Sequence, residues 1–165
     1  MARVGTALLV FVMLAAAPAF AQSTAIGRYK DWRVFTETVG SDLVCFAAVE
    51  PLDMAPKNVD HGDVNFYVAT WKSGKASAQP SLKVGYTLRT DLAPLATIGR
   101  EKFPMYAAGP EAFFPDGEER GLVASLQKGQ ELRIEAASVK DKRTAYHFSL
   151  KGSREAIEKA KALCK

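Results

Sequence analysis

The residues that could do chemistry in this chain are few. Two of its 165 residues are histidine. His147, Ser149 and Lys151 alternate along one stretch, so on an extended strand their side chains share a face. Nucleophilic catalysis needs a base beside the nucleophile and a third group that orients the base. His147 next to Ser149 meets only the first demand, and no Gly-x-Ser-x-Gly elbow is present. A polar, solvent-facing strand accounts for the same pattern. Asp60-His61-Gly62-Asp63 is the densest run of metal-ligating types. Its donors fall short of a coordination shell, and neither a His-Glu-x-x-His helix nor a calcium-loop pattern accompanies them. A polar turn ahead of a strand is the simpler expectation. The glycines are scattered over turn positions and build no phosphate-cradling loop. The reading is therefore of a non-enzymatic protein with no cofactor and no metal.

Cysteines and aromatics are more informative. Cys45 and Cys164 are the two cysteines. They are too far apart in sequence for a Cys-x-x-Cys redox pair. In an exported chain two cysteines most simply form one intramolecular bond; free thiols or a bridge between chains are the alternatives. Closed, the bond would enclose nearly the whole mature chain and contribute about 4–5 kcal/mol in the chain-entropy account. Trp32, Phe35, Phe46, Phe66, Tyr67, Trp71, Tyr86, Phe113 and Phe114 are more aromatic residues than one core face needs. Phe113-Phe114 lies between the breaks Gly109-Pro110 and Pro115-Asp116-Gly117. It is the candidate partner surface if exposed, and ordinary core if not.

The elements that position these residues read as short strands. Trp32 to about Thr38 alternates, with Trp32, Val34 and Thr36 on one face and Arg33, Phe35 and Glu37 on the other. A turn at Gly40-Ser41-Asp42 leads into Leu43–Glu50, which carries Cys45. Residues 51–63, broken by two prolines and a glycine, read as a loop. Val64–Trp71 is apolar on both faces, as in a strand held between two layers. Ser81–Thr90 has the cleanest alternation, with Leu82, Val84, Tyr86 and Leu88 inward. Lys102–Ala107, Glu131–Ser138 and Thr144–Leu150 follow as further strands. The period changes twice. Leu122, Val123 and Leu126 suggest a short helix near 117–128, with Asp116 as cap and Gly129 as stop. Ala156, Ile157, Ala160, Leu163 and Cys164 form the buried stripe of a C-terminal helix capped by Ser153.

Arg3, the apolar run Ala7–Ala17 and the small-residue box Ala19-Phe20-Ala21 have the form of a secretory signal peptide over residues 1–21. The mature part, residues 22–165, has the length of one β-sandwich domain. Without Arg3 its charge is 21 basic against 18 acidic residues, or +3. The two signs are interleaved, unlike the basic face of a nucleic-acid binder. No second apolar run is long enough to span a membrane.

Several short motifs, in order, are similar to one known family. They are Tyr29-Lys-Asp-Trp32, Cys45-Phe-Ala47, Phe66-Tyr-Val-Ala69, Ile98-Gly99 with Phe103, Leu122 to Lys128-Gly129, and Phe148-Ser-Leu-Lys-Gly152 before the terminal helix and Cys164. Together they resemble the invasion-associated locus B family over essentially the whole mature region. The resemblance implies an immunoglobulin-like β-sandwich exported to the periplasm or beyond by a gram-negative bacterium, with some link to host interaction. It brings no catalytic residues. The expected function is binding of a protein or envelope component, through a sheet edge or an aromatic loop. A small-ligand or lipid carrier with a cavity between its sheets is the alternative, and a histidine-dependent envelope hydrolase the third reading.

Overall fold

Period-two alternation becomes two antiparallel sheets packed face to face. The structure, a computed structural model, describes residues 23–165; the expected signal peptide lies outside the described residues. In chain order the elements are β1 (Thr24–Tyr29), β2 (Trp32–Val39), β3 (Asp42–Val49), β4 (Asp53–Ala55), β5 (Asn65–Trp71), β6 (Gln79–Lys83), β7 (Leu95–Ile98), β8 (Glu101–Pro104), β9 (Tyr106–Ala108), β10 (Glu111–Phe113), α1 (Glu119–Leu126), β11 (Glu131–Ala137), β12 (Arg143–Ser149) and α2 (Ser153–Leu163). Sheet A has seven strands, in the order β1-β2-β3-β5-β6-β10-β9. Sheet B has five, in the order β4-β12-β11-β7-β8. The result is the expected β-sandwich with two helices, one of them C-terminal.

The core lies between the sheets and under α2. Trp32, Val34, Ala47, Phe66, Val68 and Leu82 from sheet A meet Leu132, Ile134, Tyr146 and Phe148 from sheet B. Trp32 stands edge-on to Phe66, with ring centroids 6.3 Å apart, and Phe66 meets Phe148 at 5.9 Å. Helix α2 packs on β2 and β3 through Ala156, Ile157 and Ala160. Its far end is bonded to β3 by the Cys45–Cys164 disulfide, which spans 119 residues with Cα atoms 5.8 Å apart.

Several expectations need correction. Residues 51–63 are not all loop: β4 pairs with β12, Met54 opposite Tyr146. The alternation of Ser81–Thr90 continues in burial, but the ladder stops at Lys83. The chain there crosses from sheet A towards sheet B. Val84 N–H donates to Pro110 O, Leu88 N–H to Gly109 O and Arg89 N–H to Ala137 O. The crossing is tight: a Cβ on Gly85 would lie 2.5 Å from Gly62 Cα. Lys102–Ala107 divides into β8 of sheet B and β9 of sheet A at the buried Met105.

The helix caps also differ. Helix α1 starts one turn after Asp116, behind Glu118, without a side-chain cap. Gly129 does close it, donating its N–H to Ser125 O at 2.8 Å. Gly152, with a left-handed φ of 90°, occupies the cap position of α2. Ser153 is the first helical residue, and its hydroxyl donates to Leu126 O at 2.7 Å. A side chain assigned to capping one helix instead ties that helix to the end of the other.

The first and last of the sequence motifs form one contact. Trp32 Nε1 donates to Ser149 O at 2.9 Å, and Ser149 Oγ donates to Asp31 Oδ2 at 2.6 Å. Asp31 N–H donates to Lys151 O. Gly152 lies so close to β1 that a Cβ there would be 2.0 Å from Tyr29 O. Tyr29-Lys-Asp-Trp32 and Ser149-Leu-Lys-Gly152 therefore latch the first hairpin of sheet A to the last strand of sheet B. These contacts give both motifs a structural role in closing the sandwich.

Candidate functional site: the open face of sheet A

One face of sheet A builds the core. Among the described residues the other is covered by neither sheet B nor a helix, yet it is aromatic. On β2, Arg33, Phe35 and Glu37 alternate with the buried Trp32 and Val34. On β3, Val44, Phe46 and Ala48 alternate with Cys45 and Ala47, and on β5, Asn65, Tyr67, Ala69 and Trp71 alternate with Phe66, Val68 and Thr70. Register brings these residues together. Phe35 is opposite Phe46, and Ala48 is opposite both Arg33 and Tyr67. The same row continues through Ser81 to Phe113 and Tyr106.

Phe35 and Phe46 stack at 5.3 Å, Phe46 meets Tyr67 edge-on at 5.7 Å, and Phe113 and Tyr106 are 5.9 Å apart. Phe35, Phe46, Tyr67 and Trp71 are all half-buried. The small residues Ala48, Ala69 and Ser81 among them leave a shallow hollow of about 500 Å³.

Charges border the rings. Arg33 pairs with Glu50 and lies 5.8 Å from the centre of the Phe35 ring. Lys75 Nζ lies 4.8 Å above Trp71. Burial, then the carboxylates of Glu111, Asp63, Glu37 and Glu50, push the Tyr67 phenol above its ordinary value. Tyr67 therefore keeps its proton and offers a donor at the centre of the face. Such a surface can stack, and it can donate and accept hydrogen bonds.

The residues singled out for chemistry fall elsewhere. His147 and Ser149 share a strand face but do not act together. His147 Nδ1 lies 2.8 Å from Glu131 on the neighbouring strand, and the buried Ser149 hydroxyl donates to Asp31. In Asp60-His61-Gly62-Asp63 the donors separate. Asp60 accepts the Gly62 N–H at 2.9 Å. His61 is buried, with Nε2 3.0 Å from Pro56 O and Nδ1 3.0 Å from Tyr146 Oη. A carbonyl can only accept, so Nε2 carries the proton and Nδ1 accepts from Tyr146. Both ring nitrogens are engaged, and none is left for a metal. Tyr86 Oη, 2.7 Å from both Tyr146 Oη and Thr144 Oγ1, extends this network.

Cys45 and Cys164 are joined and buried, and they fasten α2 to the inner face. Phe113-Phe114 is not an exposed pair, because adjacent residues in extended chain point to opposite sides. Phe114 is core, 2% exposed. Phe113 faces outward on the aromatic row beside Tyr106, which is 50% exposed. Half of the expected pair thus belongs to the open face, and Phe35, Phe46, Tyr67 and Trp71 make up the rest. Among the described residues, no helix is long and apolar enough to cross a membrane.

Comparison with solved structures gives a match over most of the chain, to the crystal structure of invasion associated protein B from Bartonella henselae. This chain shares its fold. The match covers 86% of this chain and 98% of the Bartonella protein, at a TM-score of 0.58 and 15% sequence identity. At that identity the likeness to invasion associated protein B concerns the backbone arrangement. No protein-family model and no curated protein matches the sequence.

Proposed function

We propose that this chain is an exported, non-enzymatic binding protein of the invasion-associated locus B type. Residues 1–21 are its signal peptide, and residues 22–165 form the mature β-sandwich. It works in the periplasm or outside the cell and holds a macromolecular component of the envelope against the open face of sheet A. The observation that carries this reading is that face. Phe35, Phe46, Tyr67 and Trp71 stay half-buried on a side of the sandwich that no element covers among the described residues. Apolar area left in contact with water on an ordered sheet is the usual mark of a binding surface. The shared fold with invasion associated protein B and the disulfide both favour an exported chain.

The carrier alternative needs an apolar cavity of useful size between the sheets. That space holds the fully buried Trp32, Phe66, Tyr146 and Phe148 in mutual contact. A hydrolase needs a histidine free to serve a nucleophile, and His61 and His147 are engaged with Tyr146 and Glu131.

The test is retention of the purified protein on isolated cell envelopes, wild type against Phe46→Ala/Tyr67→Ala. The reading expects retention to fall at least about tenfold, the effect of losing two hot-spot aromatics, with far-UV and near-UV circular dichroism unchanged. Equal retention of a folded double variant would overturn it.

A further inference from the structure

We infer that the open face of sheet A is a track for a neutral glycan, and that its ligand is the N-acetylhexosamine strand of the cell wall. This rests on the binding-face reading above and names the ligand for it.

The aromatics form a line that crosses the strands. Phe35 on β2 and Phe46 on β3 share one register row; Tyr67 on β5, diagonal to Phe46 and 5.7 Å from it, opens the adjacent row, which runs past Ser81 on β6 to Phe113 on β10 and Tyr106 on β9. Neighbouring strands are about 4.8 Å apart, so six strands give a line of roughly 24 Å. The occupant of such a line is an extended polymer.

The chemistry of the face selects among polymers. A peptide lying across the strands would find no main-chain partner, because the backbone groups beneath it are already paired within the sheet. Its own buried amides would go unsatisfied. A nucleic acid needs an excess of basic groups along its phosphates, whereas the face balances Arg33, Lys75 and Lys83 with Glu37, Glu50 and Glu111. A lipid tail would desolvate those same charges.

A pyranose ring has what the face lacks. Its C–H side lies flat on an aromatic ring, and its hydroxyls and amides sit at the edge. Asn65, Ser81, Lys83 and Glu111 line the same hollow as the rings, together with the Tyr67 phenol, and offer hydrogen-bond donors and acceptors there. Glu37, Lys83 and Glu111 take part in none of the ion pairs among the described residues. With its charges balanced, the face offers uronate and phosphate polymers no net attraction. A wall strand, whose lactyl carboxylates are consumed as amides, is neutral along its sugar backbone.

The experiment is calorimetric titration of the disulfide-bonded protein. The probes are soluble wall strands that keep their stem peptides and an N-acetylglucosamine hexamer, with polygalacturonate as the charged control. The inference expects binding of the first two and not the third. It expects binding at least about tenfold weaker in Tyr67→Ala. Tyr106→Ala alters an exposed side chain and leaves the fold intact; it should weaken the hexamer as well. Glycan binding equal in both variants, or preference for polygalacturonate, would overturn the inference. If wild-type protein ignores all three probes but is retained on envelopes through Phe46 and Tyr67, the glycan fails and the binding face stands, with a protein as its partner. If the Phe46→Ala/Tyr67→Ala protein is retained like wild type, the face itself fails.

Discussion

Removing the disulfide should cost this protein much of its stability, and the size of the loss tests how α2 is held. Cys45 and Cys164 are 119 residues apart. The loop-closure expression gives about 0.6 kcal/mol from its constant part and about 4.2 from its length-dependent part, or roughly 4.9 kcal/mol. Domains of this kind have roughly 5–15 kcal/mol in total. The informative variant is Cys45→Ala/Cys164→Ala. Both positions are buried, and serine would add an unpaired hydroxyl whose cost of about 1–3 kcal/mol would confuse the result. Urea unfolding of the variant and of wild type supplies the assay. With a slope of about 2 kcal/mol per molar urea, the midpoint should fall by about 2 M. Wild type under reducing conditions should fall by a similar amount. A shift below about 0.5 M at unchanged slope would refute the entropic argument. It would mean that the buried stripe of α2 and the Ser153–Leu126 bond hold the helix without help.

Three further outcomes follow from single contacts. Gly152→Ala forces a Cβ onto Tyr29 O at a left-handed φ and should cost about 3 kcal/mol or more in urea unfolding. Tyr146→Phe takes from the buried His61 Nδ1 its donor and should cost about 1–3 kcal/mol by the same measurement. Hydrogen bonding from Arg89 holds the Asp91 carboxyl below its ordinary value of 3.8. A carboxylate lowered in the folded state stabilises above its unfolded value and loses that effect as pH falls through the folded one. Asp91→Asn should therefore lose stability less steeply than wild type below about pH 4, followed by thermal midpoints across an acid series.

Much of the fold was legible because alternation and turn residues act locally. The Trp32–Val49 hairpin, the central β5, the paired β11 and β12 and the terminal helix follow from period and punctuation. What failed were features decided at a distance. Strand β4 is three residues long, lies next to Pro56, and exists because the β12 edge offers it a ladder. Ser153 precedes a helical run just as a cap does, but Gly152 takes the turn and frees the serine to reach Leu126. The alternation of Ser81–Thr90 was real, yet alternation fixes which side chains point inward and not whether a neighbouring strand is present.

The open face was missed for a related reason. A strand that is apolar on both sides fits burial between two layers, and Val64–Trp71 was read that way. Among the described residues no second layer covers that side. The contrary information lay on the same face two strands away, on β2: Phe35 is bracketed by Arg33 and Glu37, two residues that a covering layer would have to desolvate at high cost. Tyr67 likewise shares its face with Asn65 on one side and, beyond Ala69, with Trp71 on the other, an amide and an indole that tolerate water better than large aliphatic side chains do. Aromatic rings among charges on one strand face are poor core and good binding surface. Across β2, β3 and β5 the three faces are in register, and that register is what converts a scattered excess of aromatics into one continuous site.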